Sequence, residues 1–162
     1  MLLGVRWLLP LNTTRLHDMK HLNRDNFQTM QCVGLLINRA RNRTAMELDD
    51  ALKPLNITGQ HMGILLCLAR GTANTAYELS KLLGVDTGLM SRTLDKLERK
   101  GLLIRSRSAE DRRVVNLELS VKGKTVADRI PDVAPDVLNH RFQHFTETEF
   151  KEFLRLLKKF TD

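Results

Sequence analysis

Basic side chains are concentrated between Ser91 and Arg113. This stretch contains eight basic residues and only four acidic ones. The basic residues are Arg92, Lys96, Arg99, Lys100, Arg105, Arg107, Arg112 and Arg113. An arginine side chain presents a planar fork of donors that fits a guanine edge or a phosphate. The whole chain of 162 residues has a formal net charge of +7, which favours a polyanionic partner.

Small and hydroxyl-bearing residues lie just before these arginines, at the start of a predicted helix. Thr87, Gly88 and Ser91 would let the helix backbone approach another molecule closely, and Arg92 shares their exposed face. The backbone amides at the start of this helix, and of the helix that begins after Thr75, favour a bound anion. The pattern predicts a helix whose N-terminal residues meet base edges in the major groove of double-stranded DNA.

Two arginines are also expected at the tip of a β-hairpin. A polar, charged segment separates two short runs with strand character, Leu102–Arg107 and Val114–Leu119. Arg112 and Arg113 at this tip are placed to enter the minor groove, where the potential is most negative. Asp111 is unusual for a DNA surface, and we expect it to hold one arginine side chain in place. The predicted DNA-contacting residues are Thr75, Thr87, Gly88, Ser91, Arg92, Arg99, Arg105, Asp111, Arg112 and Arg113.

Hydrophobic periodicity predicts a mainly α-helical chain around this region. Apolar residues recur at helical spacing from about Asn26 to Leu52, and Pro54 ends this long helix. Two helices and the basic helix follow, then the hairpin, then two further helices, of which the first runs from about Val121, past interruptions at Pro131 and Pro135, to Phe145. A helix-turn-helix followed directly by a hairpin is the winged-helix arrangement, so we predict this fold within a mainly α (α+β) class.

Capping signals and apolar stripes define the shorter helices. Thr58 is a predicted N-cap, and Asp86 or Thr87 is predicted to cap the basic helix. Two capping boxes are expected, Thr75 with Glu78 and Thr146 with Glu149. The residues predicted to be buried in the second and third helices are Met62, Leu65, Leu66 and Ala69, and then Leu79, Leu82 and Leu83.

Nothing in the sequence suggests catalysis, a cofactor or a membrane partner. There is no glycine-rich phosphate loop, no nucleophile elbow and no carboxylate pair in an evident pocket. The two cysteines, Cys32 and Cys67, form no disulfide framework and favour a reducing cytoplasm. The apolar run from Met1 to Leu11 is too short to span a bilayer. A protein-docking adaptor is the remaining alternative, but it would not need arginines at the hairpin tip.

The motifs of residues 55–69 and 78–124 resemble those of the MarR family, the multiple antibiotic resistance regulators. The family's run of Leu-Asp, Leu-Glu, Gly-Leu and Ile-x-Arg is matched in order and spacing. It corresponds to Leu94-Asp95, Leu97-Glu98, Gly101-Leu102 and Ile104-Arg105. The family's wing signature of Asp-x-Arg is matched by Asp111, Arg112 and Arg113, and the resemblance extends over roughly residues 25–160.

The resemblance implies a cytoplasmic homodimer that represses transcription from a palindromic operator. It implies that Arg113, with Arg112, lies in the minor groove and that Asp111 orients the wing arginine. It also implies that the first helix and the last two helices interleave between subunits. The expected domains are an N-terminal extension (1–24), a dimerisation helix (25–53), a winged helix-turn-helix (54–120) and C-terminal dimerisation helices (121–162).

Three modes of regulation remain open from the sequence. The resemblance implies release of DNA by a small aromatic or lipophilic compound, with a lining of Met62, Leu66, Met90 and Arg105. A redox switch at Cys32 is an alternative. Buried cysteines are ordinarily inert, so plain packing of this residue is the competing interpretation. Metal sensing by His140 and His144, with Asp136 one turn earlier, is another, although two exposed histidines are a common pattern. No resident metal is predicted.

Overall fold

The structure is a computed structural model that describes residue 24, residues 27–107, residue 111 and residues 114–161, with α1 side chains from Val33 onward. Within this part of the chain, seven α-helices accompany one two-stranded antiparallel sheet. The helices are α1 (Phe27–Ala51), α2 (Gly59–Arg70), α3 (Ala76–Leu83), α4 (Thr87–Arg99), α5 (Val121–Arg129), α6 (Ala134–Phe142) and α7 (Glu147–Thr161). The strands, between α4 and α5, are β1 (Leu103–Arg107) and β2 (Val115–Leu119).

Two compact units divide the chain, Met1–Ala40 and Arg41–Asp162, and α1 contributes to both. In the first unit, α1 exposes apolar side chains, with Leu35 at 67% and Leu36 at 61% of their surface. An exposed apolar stretch of this kind is typical of a helix that packs against another chain. The second unit contains the hydrophobic core and all the other elements.

Local capping determines where the short helices of the second unit begin. The Thr58 hydroxyl accepts a hydrogen bond from the amide of His61, which confirms the predicted start of α2. Thr75 and Glu78 form the predicted capping box of α3. Asp86, and not Thr87, is the N-cap of α4, because its carboxylate accepts from the amide of Leu89 at 2.9 Å.

The core is built from aliphatic side chains and differs in detail from the predicted stripes. Its fully buried members include Leu52, Ile64, Leu65, Leu79, Met90, Leu94, Leu97 and Ile130. In α2 the predicted burial of Ala69 is wrong, since Ala69 is exposed and His61 and Ile64 are buried instead. Leu82 in α3 is also exposed, at 57% of its surface. In this helix Leu79 is buried and Leu83 is half-buried, so α3 faces the core through these two residues and Leu82 lies outside the contact.

The hairpin packs one face onto the core through alternate residues. Leu103 pairs with Leu119 and Arg105 with Leu117 across the two strands. The alternating residues Val115, Leu117 and Leu119 were expected to share the buried face of β2, and Leu117 and Leu119 are buried, but Val115 is 43% exposed. The start of α5 closes on the hairpin so tightly that a Cβ atom on Gly123 would lie 1.9 Å from the carbonyl oxygen of Leu102.

The helical segment after the hairpin is divided at Pro131 and Pro135, the two positions where interruptions were expected. After α5, residues Ile130–Asp132 form a 3-10 turn before α6 begins. Proline removes a backbone donor and clashes with the preceding turn, so Pro131 and Pro135 are found at helix starts instead of helix interiors. The predicted capping box of Thr146 and Glu149 is confirmed at the start of α7.

The last helix has no buried residue. Its apolar side chains, Phe150, Phe153, Leu154, Leu157 and Phe160, are between 39% and 69% exposed. In the described part of the chain, every helix is either too short or too polar to cross a lipid bilayer.

Candidate nucleic-acid interface

The candidate site is centred on α4, a strongly amphipathic helix. Met90, Leu94 and Leu97 lie in the core with at most 1% of their surface exposed. The opposite side of the helix is exposed and includes Thr87, Gly88, Ser91 and Arg92. The core therefore fixes α4 from behind, while its small and basic residues remain accessible.

Gly88 and Arg92 lie together at the start of α4. A Cβ atom on Gly88 would lie 3.8 Å from the Nη1 atom of Arg92 and 3.2 Å from the carboxylate of Asp86. The guanidinium of Arg92 therefore extends back toward the first turn of the helix. The missing side chain at Gly88 leaves the backbone of this turn accessible beside a cationic fork.

The start of α3 is held by a reciprocal set of hydrogen bonds. The amides of Asn74 and Thr75 donate to the Glu78 carboxylate at 3.0 and 3.2 Å, and the Glu78 amide donates to the Thr75 hydroxyl at 3.2 Å. The bond from the Asn74 backbone, followed by those from Thr75, holds the pKa of Glu78 below its ordinary value of 4.5. Thr75 is thus ordered at the helix terminus where an anion contact was predicted.

The turn between α3 and α4 is fixed by Ser80 and Gly84. The Ser80 hydroxyl donates to the carbonyl oxygen of Val85 at 2.6 Å. Gly84 adopts a left-handed conformation with φ of 61°, which a side chain would disfavour. On α4 itself, the buried Thr93 hydroxyl donates to the carbonyl oxygen of Leu89 at 2.8 Å. The contacts of Ser80 and Gly84 therefore hold the turn between the two helices in one conformation.

Arg105 on β1 forms two ion pairs with α4. Its Nη2 atom lies 2.7 Å from a carboxylate oxygen of Asp95, and its Nη1 atom lies 3.3 Å from Glu98. All three side chains are partly exposed, between 31% and 49%. The guanidinium predicted to contact DNA is therefore engaged by two carboxylates of α4.

The two basic residues at the end of α4, Arg99 and Lys100, differ in their surroundings. Lys100 turns inward, and its ammonium group donates to the carbonyl oxygen of Asn56 and, at 3.1 Å, to the side-chain oxygen of the same residue. Arg99 is exposed. Of this pair, Arg99 alone was predicted as a DNA contact.

The predicted arginines of the wing tip, Arg112 and Arg113, lie outside the described residues. Asp111 is described and is exposed, and its carbonyl oxygen accepts from the amide of Val114 at 2.9 Å. The exposed Arg107 ends β1 on the other side of the tip. The roles of Asp111, Arg112 and Arg113 stay predictions.

His61 is a buried polar residue with a local role that the sequence reading missed. Its Nδ1 atom accepts from the amide of Thr58 at 3.1 Å, so it takes the place of Glu or Gln in a capping box. Burial, followed by the positive charges of Lys100 and Lys96, lowers the pKa of His61 below its ordinary value of 6.5. The spacing of three residues after Thr58 was the available signal.

A cavity of about 620 Å³ in the second unit brings together part of the predicted effector lining. Met62 and Leu66 border it. Met90 is buried in the core, and Arg105 is paired with α4, so neither joins them. The other apolar residues of its wall are Ile130, Pro131, Ala134, Pro135, Leu138, Phe142, Phe145 and Phe150. Four aromatic rings, those of Phe142, Phe145, Phe150 and Phe153, contact one another near this wall.

The other candidate sensors differ in how far the structure describes them. The backbone of Cys32 is helical, but its side chain lies outside the described residues. His140 lies in α6, whereas His144 follows the end of that helix at Phe142, so the predicted helical spacing of the two histidines is wrong. Within the described ranges, no three His, Cys, Asp or Glu side chains are grouped to hold a metal ion.

Both the sequence and the fold are similar to those of known bacterial proteins. A model of the MarR family matches residues 57–115. The multiple antibiotic resistance protein MarR of Escherichia coli strain K12 is 29% identical over 136 residues, which are 83% of this chain and 94% of that protein. The crystal structure of wild-type E. coli MarR in its apo form has a TM-score of 0.65 and 30% identity, and the match covers 80% of this chain and 96% of that chain. A mutant of E. coli MarR complexed with operator DNA has a TM-score of 0.74 at 29% identity, with 87% of this chain and all (100%) of that chain covered.

Proposed function

The chain belongs to the MarR family of transcriptional regulators, and on this premise we propose that it is a homodimeric repressor that binds a palindromic DNA operator. Members of this family are transcription regulators and not enzymes.

The exposed face of α4 is the observation that supports DNA binding most strongly. Thr87, Gly88, Ser91 and Arg92 are accessible together, while the opposite face is locked into the core. A helix held in this way presents its N-terminal residues to base edges in the major groove. The related E. coli MarR mutant in complex with operator DNA has the same fold.

The wing is assigned the minor groove in this proposal. Arg112 and Arg113 follow Asp111 in the segment that connects the two strands of the hairpin. Arginine is suited to a narrow minor groove because its charge meets the most negative potential there. Replacement of Arg113 by Ala is expected to weaken operator and non-operator binding alike, since a minor-groove and phosphate contact contributes little base discrimination.

Dimerisation is assigned to residues 25–53 and 121–162, with residues 54–120 as the DNA-reading domain and 1–24 as an extension. The apolar residues of α7 and those of α1 in the first unit are exposed and need a partner surface. A two-fold symmetric dimer places two α4 helices in successive major grooves, which requires an inverted repeat in the DNA.

The signal proposed is a small aromatic or lipophilic compound. The cavity bordered by Met62, Leu66 and the phenylalanines has the apolar wall and the volume that such a ligand requires. Thermal unfolding with phenolic acids, peroxide or zinc separates the alternatives, because a ligand that binds only the folded state raises the midpoint. An increase with phenolic acids supports this proposal, and an increase with zinc alone contradicts it.

DNA binding is tested by gel retardation with the region upstream of the protein's own gene. A scrambled duplex of equal length is the control. Affinity for the upstream fragment should exceed that for the control and should fall about a thousandfold between about 50 and 200 mM salt, as expected for several phosphate contacts. No retardation of either duplex at low salt would contradict the proposed function.

A further inference from the structure

We infer that Arg105 is a positioning residue. It holds the wing, the β1–β2 hairpin with its tip, at a set distance from α4 and does not itself contact DNA. The inference rests on the proposed DNA binding and refines it. The two observations behind it are the position of Arg105 in the hairpin and the identity of its two partners.

The apolar contact between the hairpin and the core ends at Arg105. On β1, Leu103 is buried, with 2% of its surface exposed. Arg105 lies two residues further toward the tip, on the same face of the strand. Arg107, two residues further still, is exposed. Arg105 is therefore the last inward-facing residue of this strand that touches α4 before the wing projects beyond the core.

Its two partners lie on one side of α4. Asp95 and Glu98 are three residues apart, so their carboxylates are neighbours on the helix surface. One guanidinium bridges them, with one terminal nitrogen directed to each. A planar fork that is engaged at two points fixes direction as well as distance, which a lysine ammonium group would not.

Because both partners of Arg105 are acidic, their removal distinguishes positioning from simple electrostatics by the direction in which DNA affinity changes. Asp95 and Glu98 are negative charges on a helix that faces a polyanion, so their removal alone should strengthen binding to any duplex. If they instead hold Arg105 and thereby the wing, their removal should weaken binding to the operator. Simple electrostatics and positioning thus predict opposite results for the same change.

The test uses the full-length protein, the upstream fragment and the scrambled duplex, with affinities measured by fluorescence anisotropy at several salt concentrations. The near-isosteric double variant Asp95→Asn/Glu98→Gln should bind both duplexes about fivefold more weakly, because the wing contact that it loses does not depend on base sequence. Equal or tighter binding to both duplexes would overturn the inference.

Arg105→Ala supplies an independent readout. Its affinity for both duplexes should fall by about the same factor as in the double variant, and adding it to the double variant should cause no further fall, because these changes break the same contact. A further fall in affinity on adding Arg105→Ala to the double variant would assign Arg105 to DNA and overturn the inference. Arg105→Lys retains the charge and should behave like Arg105→Ala, whereas full rescue by Lys would also count against positioning.

Arg107→Ala is the matched control, since it removes the same charge from the same strand. Its effect on the affinity for either duplex should be smaller than that of Arg105→Ala. Thermal unfolding of each variant checks that it is folded at the assay temperature. A wild-type protein that binds neither duplex would refute the proposed function, whereas the inference about Arg105 fails when the wild type binds and the variants give one of the contrary results named above.

Discussion

The residues at the start of α4 leave the helix backbone accessible and place a positive charge beside it. Gly88 leaves the first turn uncovered, and the Arg92 guanidinium extends back alongside it. Ser91 adds a short hydroxyl on the same exposed surface. We attribute base recognition to this small group of residues, because it is the part of α4 that a duplex can approach most closely.

Arg92 is predicted to determine sequence preference through its planar fork. Arg92→Lys keeps the charge but loses the bidentate geometry, so discrimination at one base pair should fall by about 1–3 kcal/mol. The measurement is the affinity for a set of upstream fragments, each with one base pair changed. The exposed Arg99→Lys is the control and should leave the base preference unchanged. A uniform loss across all fragments for Arg92→Lys would contradict base recognition.

His61 makes the stability of the reading domain depend on pH. Its neutral Nδ1 atom accepts the hydrogen bond from Thr58, and its pKa lies below the ordinary value of 6.5. The unfolded chain therefore binds a proton more readily than the folded one. The contribution of His61 to stability is complete above about pH 6.5 and is lost as the pH falls below that value.

The variant His61→Gln isolates this effect. A glutamine can accept the Thr58 amide in the same capping position but does not titrate. The free energy of unfolding, measured in urea from pH 7.5 down to pH 5, should fall more for the wild type than for His61→Gln. Parallel curves for the two proteins would show that His61 does not carry the dependence.

The short helices show which features a sequence determines locally. Four predicted caps begin the helices that were expected to follow them, because a cap depends only on residues three positions apart. These caps are Thr58, Thr75, Asp86 and Thr146. The order of helices and hairpin follows from the same signals. For this reason the winged-helix fold could be predicted before any coordinates.

Features that depend on distant contacts could not be predicted in this way. Leu82 has the spacing of a core residue, yet α3 turns it outward. Arg105 lies in a basic stretch, and nothing in that stretch indicates that the fold brings it to Asp95, ten residues earlier on another element. Periodicity describes one element at a time, whereas these outcomes depend on how two elements meet.

The junction between α5 and the hairpin is predicted to tolerate no side chain at Gly123. A methyl group there would overlap the carbonyl oxygen of Leu102, which belongs to the backbone and cannot rotate away. Gly123→Ala should lower the free energy of unfolding by about 1–3 kcal/mol, in spite of the better helix propensity of alanine. Urea unfolding gives the value, and the exposed neighbour Lys124→Ala is the control. A Gly123→Ala protein as stable as the wild type would contradict the close packing.

For the molecule as a whole, the apolar face of α7 implies a partner subunit. Leu157 is 44% exposed on this face. Leu157→Glu would place an unpaired carboxylate in the proposed dimer interface, which costs several kcal/mol, so dissociation should increase by about a hundredfold or more. Sedimentation equilibrium measures the change. Lys159→Glu, on the opposite side of α7, should leave the dimer intact, and a dimer of unchanged strength in Leu157→Glu would place the interface elsewhere.

A dimer that presents two basic α4 helices should select a symmetric sequence from an unbiased pool of DNA duplexes. We predict that selection from randomised duplexes by the full-length protein, followed by sequencing, enriches an inverted repeat whose half-sites are about 10 base pairs apart, centre to centre. The bases altered by Arg92→Lys should lie within each half-site. Enrichment of no motif, or of a single half-site without symmetry, would contradict a dimer that inserts two α4 helices into successive major grooves.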